Sequence, residues 1–333
     1  MASAQAAPSG RYGPAEILLL AVLSAVWGAA YVLIRQGLLL GATPLAFASA
    51  RYALSALVFF AIAAANREAF PTRRALATTA GFSGLLMIGL YGGFLYWGEQ
   101  YTTGGYAAVL ASTAPILTVA LSFVVLRAER LGPWGMLGIA IGFGGTAVLV
   151  LPELTGSSLG TWEGPVFILG AMTCAAVGSV YLRRYGGGRQ GLWQIGCAFA
   201  VASLLLGTGA VVLPLPEALP LTLGVIGSLV LLVAFSSVVG YFAYFALHHR
   251  VGPVRANLVA YLVPLVGVAI GTGLYGEPVT AWELGGVAIV LAGVSLVLWE
   301  SSRRQASPTG APGPGTHLPA APAGTTATER RQR

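Results

Sequence analysis

Arg51 lies inside a long apolar stretch of the chain, seven residues after Pro44. On an α-helix that spacing is roughly 10 Å, since the rise is about 1.5 Å per residue. An arginine this far along an apolar helix is costly unless it pairs, faces water or extends to the nearer surface. Arg51 could therefore bind the carboxylate or phosphate of a substrate. The alternative is that its side chain extends to the outer surface.

Three other side chains are candidates for binding a proton. Glu99 is the one acid close to the interior of an apolar stretch, and His248 and His249 lie beside Arg250 at the end of another. Proton relays through apolar protein interiors use such acids and histidines. For the histidine pair, a solvated position at the end of its helix is the alternative interpretation.

Aromatic and polar residues inside the apolar stretches combine an apolar body with a hydrogen-bonding tip. Such side chains suit a pocket that removes water from a neutral or zwitterionic molecule. Tryptophan and tyrosine are also enriched at membrane surfaces, which is the alternative position for each of them. Together with Arg51, the predicted pocket lining consists of Trp27, Tyr31, Tyr91, Tyr96, Tyr241, Tyr244, Asn257 and Tyr261.

Pro115 and Pro264 lie inside two further apolar stretches. A proline in a helix lacks a backbone donor and frees the carbonyl four residues earlier, here those of Ala111 and Ala260. In hydrocarbon a freed carbonyl must find a partner or face a polar cavity. We therefore expect both prolines to break helices that line the pocket, with kinks that serve helix packing alone as the alternative.

Composition argues against several other kinds of site. The two cysteines, Cys174 and Cys197, lack the C-x-x-C spacing of a metal site, and the chain has no Asp, three His and no nucleophile motif. The net charge is +7, but the arginines lie in short gaps between apolar stretches and not on one basic patch. We therefore expect no metal, no cofactor, no nucleic-acid partner and no enzymatic activity.

Membrane-spanning helices are the elements that must position these residues. Hydrophobic residues make up 56% of the chain and charged residues 9%, against about a quarter charged in soluble domains. A spanning helix needs about 20 mostly apolar residues, and no stretch alternates as a transmembrane barrel would. The predicted fold class is an all-α integral membrane protein with ten transmembrane helices. The predicted spans are 16–34, 44–65, 75–97, 104–126, 133–151, 164–182, 191–213, 221–247, 253–275 and 281–299.

Arginine placement predicts how the ten spans are oriented. Short loops that stay in the cytoplasm are rich in arginine and lysine. With the N-terminus in the cytoplasm, sixteen arginines fall in cytoplasmic segments and only Arg35 falls in an outer loop, while Arg51 lies within a span. We therefore expect a multi-pass protein of the cell (inner or plasma) membrane, with the lipid bilayer around it and both termini cytoplasmic.

The chain also repeats itself. The stretch from Pro115 to Glu129 recurs from Pro264 to Glu277, with an offset of 149 residues at the prolines and 148 at the glutamates. Because this offset covers five spans, an odd number, the second copy enters the membrane from the opposite side. The sequence thus predicts two inverted five-helix repeats with a binding site between them. The two glutamates lie at span ends, where we expect helix capping or pairing with arginine.

The repeat divides the chain into five predicted segments. The last of them is rich in Pro, Gly, Ala and Thr without apolar periodicity, so we expect it to be disordered. The segments are a cytoplasmic N-terminal segment (1–15), the first repeat (16–151), an external linker (152–163), the second repeat (164–299) and a disordered cytoplasmic tail (300–333).

Five stretches carry a resemblance to a known family. They are WGAAYVLIR (27–35), PLAFASAR (44–51), AAVLASTAPILTVALSFVVLRAE (107–129), ANLVAYLVPLVGVAIGTGLYGE (256–277) and WELGGVAIVLAGVSLVL (282–298). These stretches resemble the drug/metabolite transporter superfamily, specifically proteins with two EamA domains, and the resemblance covers residues 16–299. It implies a ten-helix exporter or importer of small metabolites. Spans 1 and 6 lack the interior acid of the superfamily's small multidrug pumps, which argues against proton-driven export of cationic drugs.

We therefore predict a secondary transporter, in the exporting direction, of small polar metabolites such as amino acids. It would work by alternating access between the two repeats. The alternative is a non-transporting membrane scaffold or sensor that uses the C-terminal tail. The G-x-x-x-G pairs Gly138–Gly142 and Gly267–Gly271 predict close helix packing, within one chain or, as the alternative, in a homodimer.

Overall fold

A computed structural model of the chain describes residues 13–126, 132–154, 161–185, 191–213, 219–251 and 259–306. These residues form ten helices and no strand. Seven are single helices: α1 (Pro14–Leu39), α2 (Pro44–Ala65), α5 (Pro133–Leu154), α6 (Glu163–Tyr185), α7 (Leu192–Val212), α9 (Val259–Tyr275) and α10 (Ala281–Ala306). Three are built from consecutive segments. α3 consists of Arg73–Ala75, Leu76–Gly81, Gly84–Leu90 and Tyr91–Gly98. α4 consists of Gly104–Ala111 and Ala114–Leu126, and α8 consists of Leu223–Leu231, Leu232–Val239 and Gly240–Val251.

Proline and threonine begin several of these helices. Pro14 and Pro44 stand in the first turns of α1 and α2, where the missing N–H would have no partner within the helix anyway. Thr103 caps α4, because its hydroxyl oxygen accepts a hydrogen bond from the backbone N–H of Tyr106 at 3.1 Å. The predicted starts of the second and fourth spans, at 44 and 104, coincide with the first residues of α2 and α4.

The helices have the length and composition of membrane spans. In the described part of the chain, six are long and apolar enough to cross a membrane, and they belong to α1, α2, α4, α6, α7 and α8. Shorter apolar helices occur within α3, α5, α9 and α10. Since an α-helix satisfies its own backbone hydrogen bonds, it is a stable structure in hydrocarbon. The predicted all-helical membrane fold is confirmed.

Helix packing follows the sequence repeat. α2 packs along α7 and α5 along α10, so each of these pairs joins corresponding helices of the two repeats. α1 packs against α9, and the equivalent contact after exchange of the repeats, α6 against α4, also forms. The tertiary structure therefore has the same five-helix offset as the sequence.

Glycines bring the backbones of α5 and α10 close together. A methyl group added to Gly293 would lie 2.6 Å from the carbonyl oxygen of Gly138 and 2.6 Å from the amide nitrogen of Gly142. The first predicted G-x-x-x-G pair thus packs against another helix of the same chain. Gly267, from the second pair, packs against Ala108 of α4.

α3 and α8 contain wider, π-helical turns at corresponding positions. The two corresponding turns are Gly84–Leu90 and Leu232–Val239, whose first residues differ by 148 (232 − 84), the offset of the repeat. α3 has a further π-helical stretch, Leu76–Gly81, where the corresponding part of α8 is α-helical. A π-helical turn carries an extra residue and changes the direction of the side chains that follow it, and such turns are frequent at functional sites. The sequence analysis did not predict either turn.

The two prolines of the repeat have different surroundings. α4 is interrupted at Ser112 and Thr113, immediately before Pro115. The hydroxyls of Ser112 and Thr113 donate to backbone carbonyls three residues earlier, at 2.6 and 2.8 Å, so two of the carbonyls exposed by the break have partners. α9, in contrast, continues through Pro264 as one helix.

Glu277 lies on the loop after α9 and caps α4. Its carboxylate oxygens accept hydrogen bonds from the backbone N–H groups of Gly104 at 3.0 Å and Gly105 at 2.8 Å. N–H groups in the first turn have no partner within the helix, and the helix dipole favours negative charge there. The expected end role is confirmed for Glu277, whereas Glu129 lies outside the described residues.

Truncating this cap should destabilise the protein. We expect Glu277→Ala to lower the free energy of unfolding by about 1–2 kcal/mol, because two N–H groups lose their acceptor and a helix dipole loses its counter-charge. Glu277→Gln retains one acceptor oxygen and should lose less. Unfolding of the detergent-solubilised protein by titration with SDS measures both, and equal stability of Glu277→Ala and the parent would contradict the capping role.

Glu300 extends α10 beyond the predicted end of its span at 299. Its carboxylate accepts hydrogen bonds from the backbone N–H of Gly132, at 3.1 Å, and of Gly135, at the start of α5. The side chain is buried, and the helix continues to Ala306. The helical structure therefore includes the first residues of the predicted tail, and 307–333 lie outside the described residues.

Candidate substrate cavity

A cavity of about 220 Å³ lies between the two repeats. α1, α2 and α3 contribute its lining from the first repeat, and α7, α8 and α9 contribute from the second. Both π-helical turns take part, through Met87 and Ile88 of α3 and Ser236 of α8. The described lining residues are Trp27, Ala30, Tyr31, Ile34, Arg51, Tyr52, Met87, Ile88, Tyr91, Leu95, Phe199, Ser236, Tyr241 and Val263.

The residues predicted to line a pocket fall into three groups. Those that line the cavity are Trp27, Tyr31, Arg51, Tyr91 and Tyr241. Two contact lining residues without being among them: Tyr96 is fully buried and accepts a hydrogen bond from Arg51, and the Tyr244 ring centre is 5.5 Å from that of Trp27. Asn257 and the side chains of Tyr261, His248 and His249 lie outside the described part of the structure.

Arg51 is held by residues from both repeats. Its Nη1 donates to the Tyr96 hydroxyl at 3.1 Å, and its Nη2 donates to Ser236 Oγ at 2.9 Å. The side chain is 8% exposed, so it does not extend to the surface. The guanidinium Cζ lies 5.6 Å from the centre of the Tyr52 ring, within range of a cation–π interaction.

Hydrogen bonds behind Arg51 fix the position of its partners. The Trp27 Nε1 donates to the backbone carbonyl of Ser236 at 3.3 Å, which ties α1 to the π-helical turn of α8. Ser55 Oγ lies 2.9 Å from the Arg51 carbonyl oxygen and 2.9 Å from Ser237 Oγ, which ties α2 to the same turn. The Arg51 guanidinium is therefore anchored to a turn that the second repeat provides.

One guanidinium nitrogen of Arg51 has no partner in the described structure. Its buried Nε has no hydrogen-bond partner among the described residues. Arg51 is also the one charged side chain among the described lining residues, so no carboxylate of that lining neutralises it. A buried donor without an acceptor costs about 1–3 kcal/mol, and more for a charged group. A carboxylate bound in the cavity would supply the counter-charge that the lining lacks.

Several lining residues were missed by the sequence analysis. Ser236 and Ser237 form a polar pair within an otherwise apolar part of α8, and that pair was a signal that could have been used. Tyr52 directly follows Arg51, but neighbouring positions on a helix point in different directions. Met87 and Phe199 have no local signal, because apolar residues occur on all sides of these helices.

Glu99 lies in the turn between α3 and α4, beyond the end of α3 that lines the cavity. It follows the lining residue Leu95 by four positions, one helical turn. Its side chain is fully buried, and neither carboxylate oxygen has a hydrogen-bond partner among the described residues. Arg35 Nη1 donates to the backbone carbonyls of Glu99 and Gln100, at 2.8 and 2.9 Å. The arginine thus binds the main chain of this turn.

Comparison with protein families gives a match in both halves of the chain. Residues 15–151 and 162–299 each match a family described as the EamA-like transporter family. The chain is also similar in fold to a crystal structure of a protein with 18% sequence identity, which superposes with a TM-score of 0.54. That similarity covers 85% of this chain and 99% of the other.

Similar proteins span nearly the whole chain. An "Uncharacterized inner membrane transporter YedA" of Escherichia coli K12 is 29% identical over 86% of this chain and 92% of its own length. An "Uncharacterized transporter" of Archaeoglobus fulgidus is 27% identical over 84% and 98%. A "Probable amino-acid metabolite efflux pump" of Salmonella typhimurium is 27% identical over 81% and 90%.

Proposed function

The chain belongs to the EamA-like transporter family and is a membrane transporter, and from this premise we propose a substrate class. We propose that it exports small metabolites that carry a carboxylate, such as amino acids, across the cell membrane. Transport proceeds by alternating access, in which the two inverted repeats move around a site between them. Both termini are cytoplasmic in this proposal, as the distribution of the arginines predicts.

The observation that carries the proposal is the buried Arg51 guanidinium, which has no counter-charge among the described lining residues. Nη1 and Nη2 each use one of their two N–H groups for Tyr96 and Ser236, and Nε has no partner in the described part of the chain, so N–H groups remain for a ligand. Arginine binds a carboxylate through two parallel N–H···O bonds. Hydrogen bonds to Tyr96 and Ser236 orient the guanidinium before the ligand binds, which reduces the entropy lost on binding.

Size and lining narrow the substrate further. The cavity of about 220 Å³ is smaller than the roughly 300–1,000 Å³ of pockets that hold drug-sized ligands. Six of the described lining side chains are aromatic: Trp27, Tyr31, Tyr52, Tyr91, Phe199 and Tyr241. A small molecule with a carboxylate at one end and an apolar or aromatic body at the other matches this lining. The name of the Salmonella relative supports amino acids and export.

Contacts across the cavity support alternating access. Tyr96 belongs to the first repeat and Ser236 to the second, and both bind the same guanidinium. A movement of one repeat relative to the other would therefore change the environment of Arg51. The π-helical turns in α3 and α8 provide corresponding places at which each repeat could bend.

Thermal melting of the purified protein with matched ligand pairs tests the substrate class. The pairs are L-amino acids and their amides, for example L-tryptophan and L-tryptophanamide, with nucleosides and sugars as further classes. A ligand at 100 times its dissociation constant stabilises a protein by about 2.7 kcal/mol. We expect the acids to raise the melting temperature and the amides to leave it unchanged, because only the acids supply a carboxylate to Arg51.

Flux measurements then test transport itself. Proteoliposomes loaded with the acid that stabilises the protein most should release it faster than protein-free liposomes, and external amide should not compete. Equal stabilisation by acid and amide, or by nucleosides alone, would contradict the assignment of a carboxylate substrate. Binding without any flux would contradict transport of that ligand.

A further inference from the structure

The Glu99 carboxyl is a buried titratable group without a hydrogen-bond partner in the described structure. Its side chain is 0% exposed, and both Oε atoms lack hydrogen-bond partners among the described residues. Thr102, three residues later, is also buried, and its Oγ1 likewise has no partner in the described structure. Two unpartnered polar groups therefore lie together in the turn between α3 and α4.

The charged groups around Glu99 do not pair with it. Arg35 of α1 uses its Nη1 for the backbone carbonyls of Glu99 and Gln100. Glu277, on the loop after α9, interacts with Glu99 by electrostatic repulsion. Its carboxylate is itself hydrogen-bonded to the backbone N–H groups of the first turn of α4. Arg51 of α2, at the cavity, attracts Glu99 electrostatically, but its hydrogen bonds go to Tyr96 and Ser236.

Tyrosine hydroxyls complete the titratable surroundings. Tyr31 of α1, Tyr52 of α2 and Tyr96 of α3 each interact electrostatically with Glu99. Tyr31 Oη lies 3.4 Å from Tyr91 Oη, and the Tyr96 hydroxyl accepts from Arg51. None of these hydroxyls is hydrogen-bonded to the Glu99 carboxyl, so they do not replace the water that an ionised carboxylate requires.

Burial without a hydrogen-bond partner among the described residues therefore favours the neutral acid form of Glu99. Moving a carboxylate out of water without a partner costs several kcal/mol, and such a group takes up a proton instead. Glu99 lies outside the helical segments on either side of it, and burial raises the pKa of its carboxyl well above its usual value, although the positive charge of Arg35 acts in the opposite direction.

The position of Glu99 connects its protonation to the cavity. Arg35 follows the lining residue Ile34, and Glu99 lies one helical turn beyond the lining residue Leu95. Arg35 and Glu99 thus form a layer between the cavity and one side of the membrane. In the described structure this layer is closed, since Glu99 and Thr102 are both buried.

We propose that Glu99 is the proton-binding group of this protein and that its protonation closes the layer above the cavity. A proton from the solution on that side binds one Oε atom and gives the neutral acid, which tolerates burial. When the proton returns to solution, the carboxylate requires water, and the layer opens. Coupling of this cycle to substrate movement rests on the proposed transport function, whereas proton binding and closure do not.

Infrared difference spectroscopy of the purified protein tests proton binding without a substrate. At neutral pH the parent protein should show the C=O stretching band of a protonated carboxylic acid, and the band should disappear as the pH is raised. Glu99→Gln should abolish the band, because an amide cannot titrate. Glu163→Gln, which changes another acid with an unpartnered buried oxygen (Oε2), should retain it.

Cysteine labelling tests closure separately. In a protein with Cys174→Ala and Cys197→Ala, the buried Thr102 is replaced by cysteine and its reaction with a maleimide is followed from acid to alkaline pH. Trp162→Cys, at a position that is 55% exposed, corrects for the reactivity of the thiol itself. We expect the corrected rate to rise by roughly tenfold per pH unit, in step with the ionised fraction of one carboxyl. Adding Glu99→Gln should remove this dependence.

Three results would overturn the proposal. The acid band could persist in Glu99→Gln, which would place the proton elsewhere. The band could appear only after Na⁺ is removed, which would make the site one for a metal cation. Glu99→Gln could fail to fold, although it imitates the neutral acid and should be as stable as the parent protein. Each result leaves the proposed substrate class unaffected, since the ligand-pair measurement does not depend on Glu99.

Discussion

Replacing Arg51 with methionine is expected to lower the affinity of the cavity for carboxylate ligands by about 100-fold, because the loss of one partner of a buried charged pair costs about 2–5 kcal/mol. Methionine retains much of the length of the side chain but has no donor and no charge. The Tyr96 and Ser236 hydroxyls lose their partner as well, but neither is charged. Binding is measured by isothermal titration with the acid that stabilises the parent protein most.

Two controls separate recognition from folding in this experiment. Arg51→Lys keeps the charge but loses the planar fork of donors, so its affinity should fall between those of the parent and of Arg51→Met. Tyr96→Phe removes one hydrogen bond that orients the guanidinium and should weaken binding by only a few-fold. If Arg51→Met binds the acid as tightly as the parent protein does, Arg51 does not bind the carboxylate.

Replacing Gly293 with alanine is expected to lower the free energy of unfolding by about 3 kcal/mol, the upper end of the usual cost of overpacking. The added methyl group would lie 2.6 Å from Gly138 O and 2.6 Å from Gly142 N. Both are backbone atoms, which cannot move aside as a flexible side chain can. α5 and α10 would have to separate along their length, and unfolding by SDS titration measures the loss.

Gly285→Ala is the matched control on the same helix. No atom lies within 4 Å of a methyl group added to Gly285, and the position is exposed. Because alanine favours helix over glycine by up to about 1 kcal/mol, this variant should be as stable as the parent protein or slightly more stable. Equal stability of the two variants would mean that the α5–α10 contact is looser than the structure describes.

Helix positions could be predicted well because hydrocarbon imposes strict conditions on the backbone. A spanning segment must satisfy its own N–H and C=O groups, so long apolar stretches in this composition form helices. The predicted spans 44–65 and 191–213 match α2 (Pro44–Ala65) and α7 (Leu192–Val212) closely. α1 continues to Leu39, five residues beyond the predicted end of the first span at 34. Composition alone does not mark where a helix leaves the membrane.

The candidate site was predicted only in part. Arg51 and four aromatic residues were identified from their side-chain chemistry, and all five line the cavity. Ser236, which binds Arg51, is 185 residues away in the sequence. Which helix faces reach the cavity depends on how each helix is rotated, and helices that are apolar on all sides give no polar stripe from which to predict rotation.

The sequence by itself determined that this is a ten-helix membrane protein with two repeats, because helix length, apolar composition and the offset of 148–149 residues are local or periodic properties of the chain. The sequence also marked Arg51 and Glu99 as candidate functional residues, since charged side chains are costly within or beside long apolar stretches. Only the tertiary structure decided that Arg51 is anchored by both repeats while Glu277 caps α4 and Glu99 stays unpaired. These contacts join residues far apart in the chain, and the geometry of helix packing creates them.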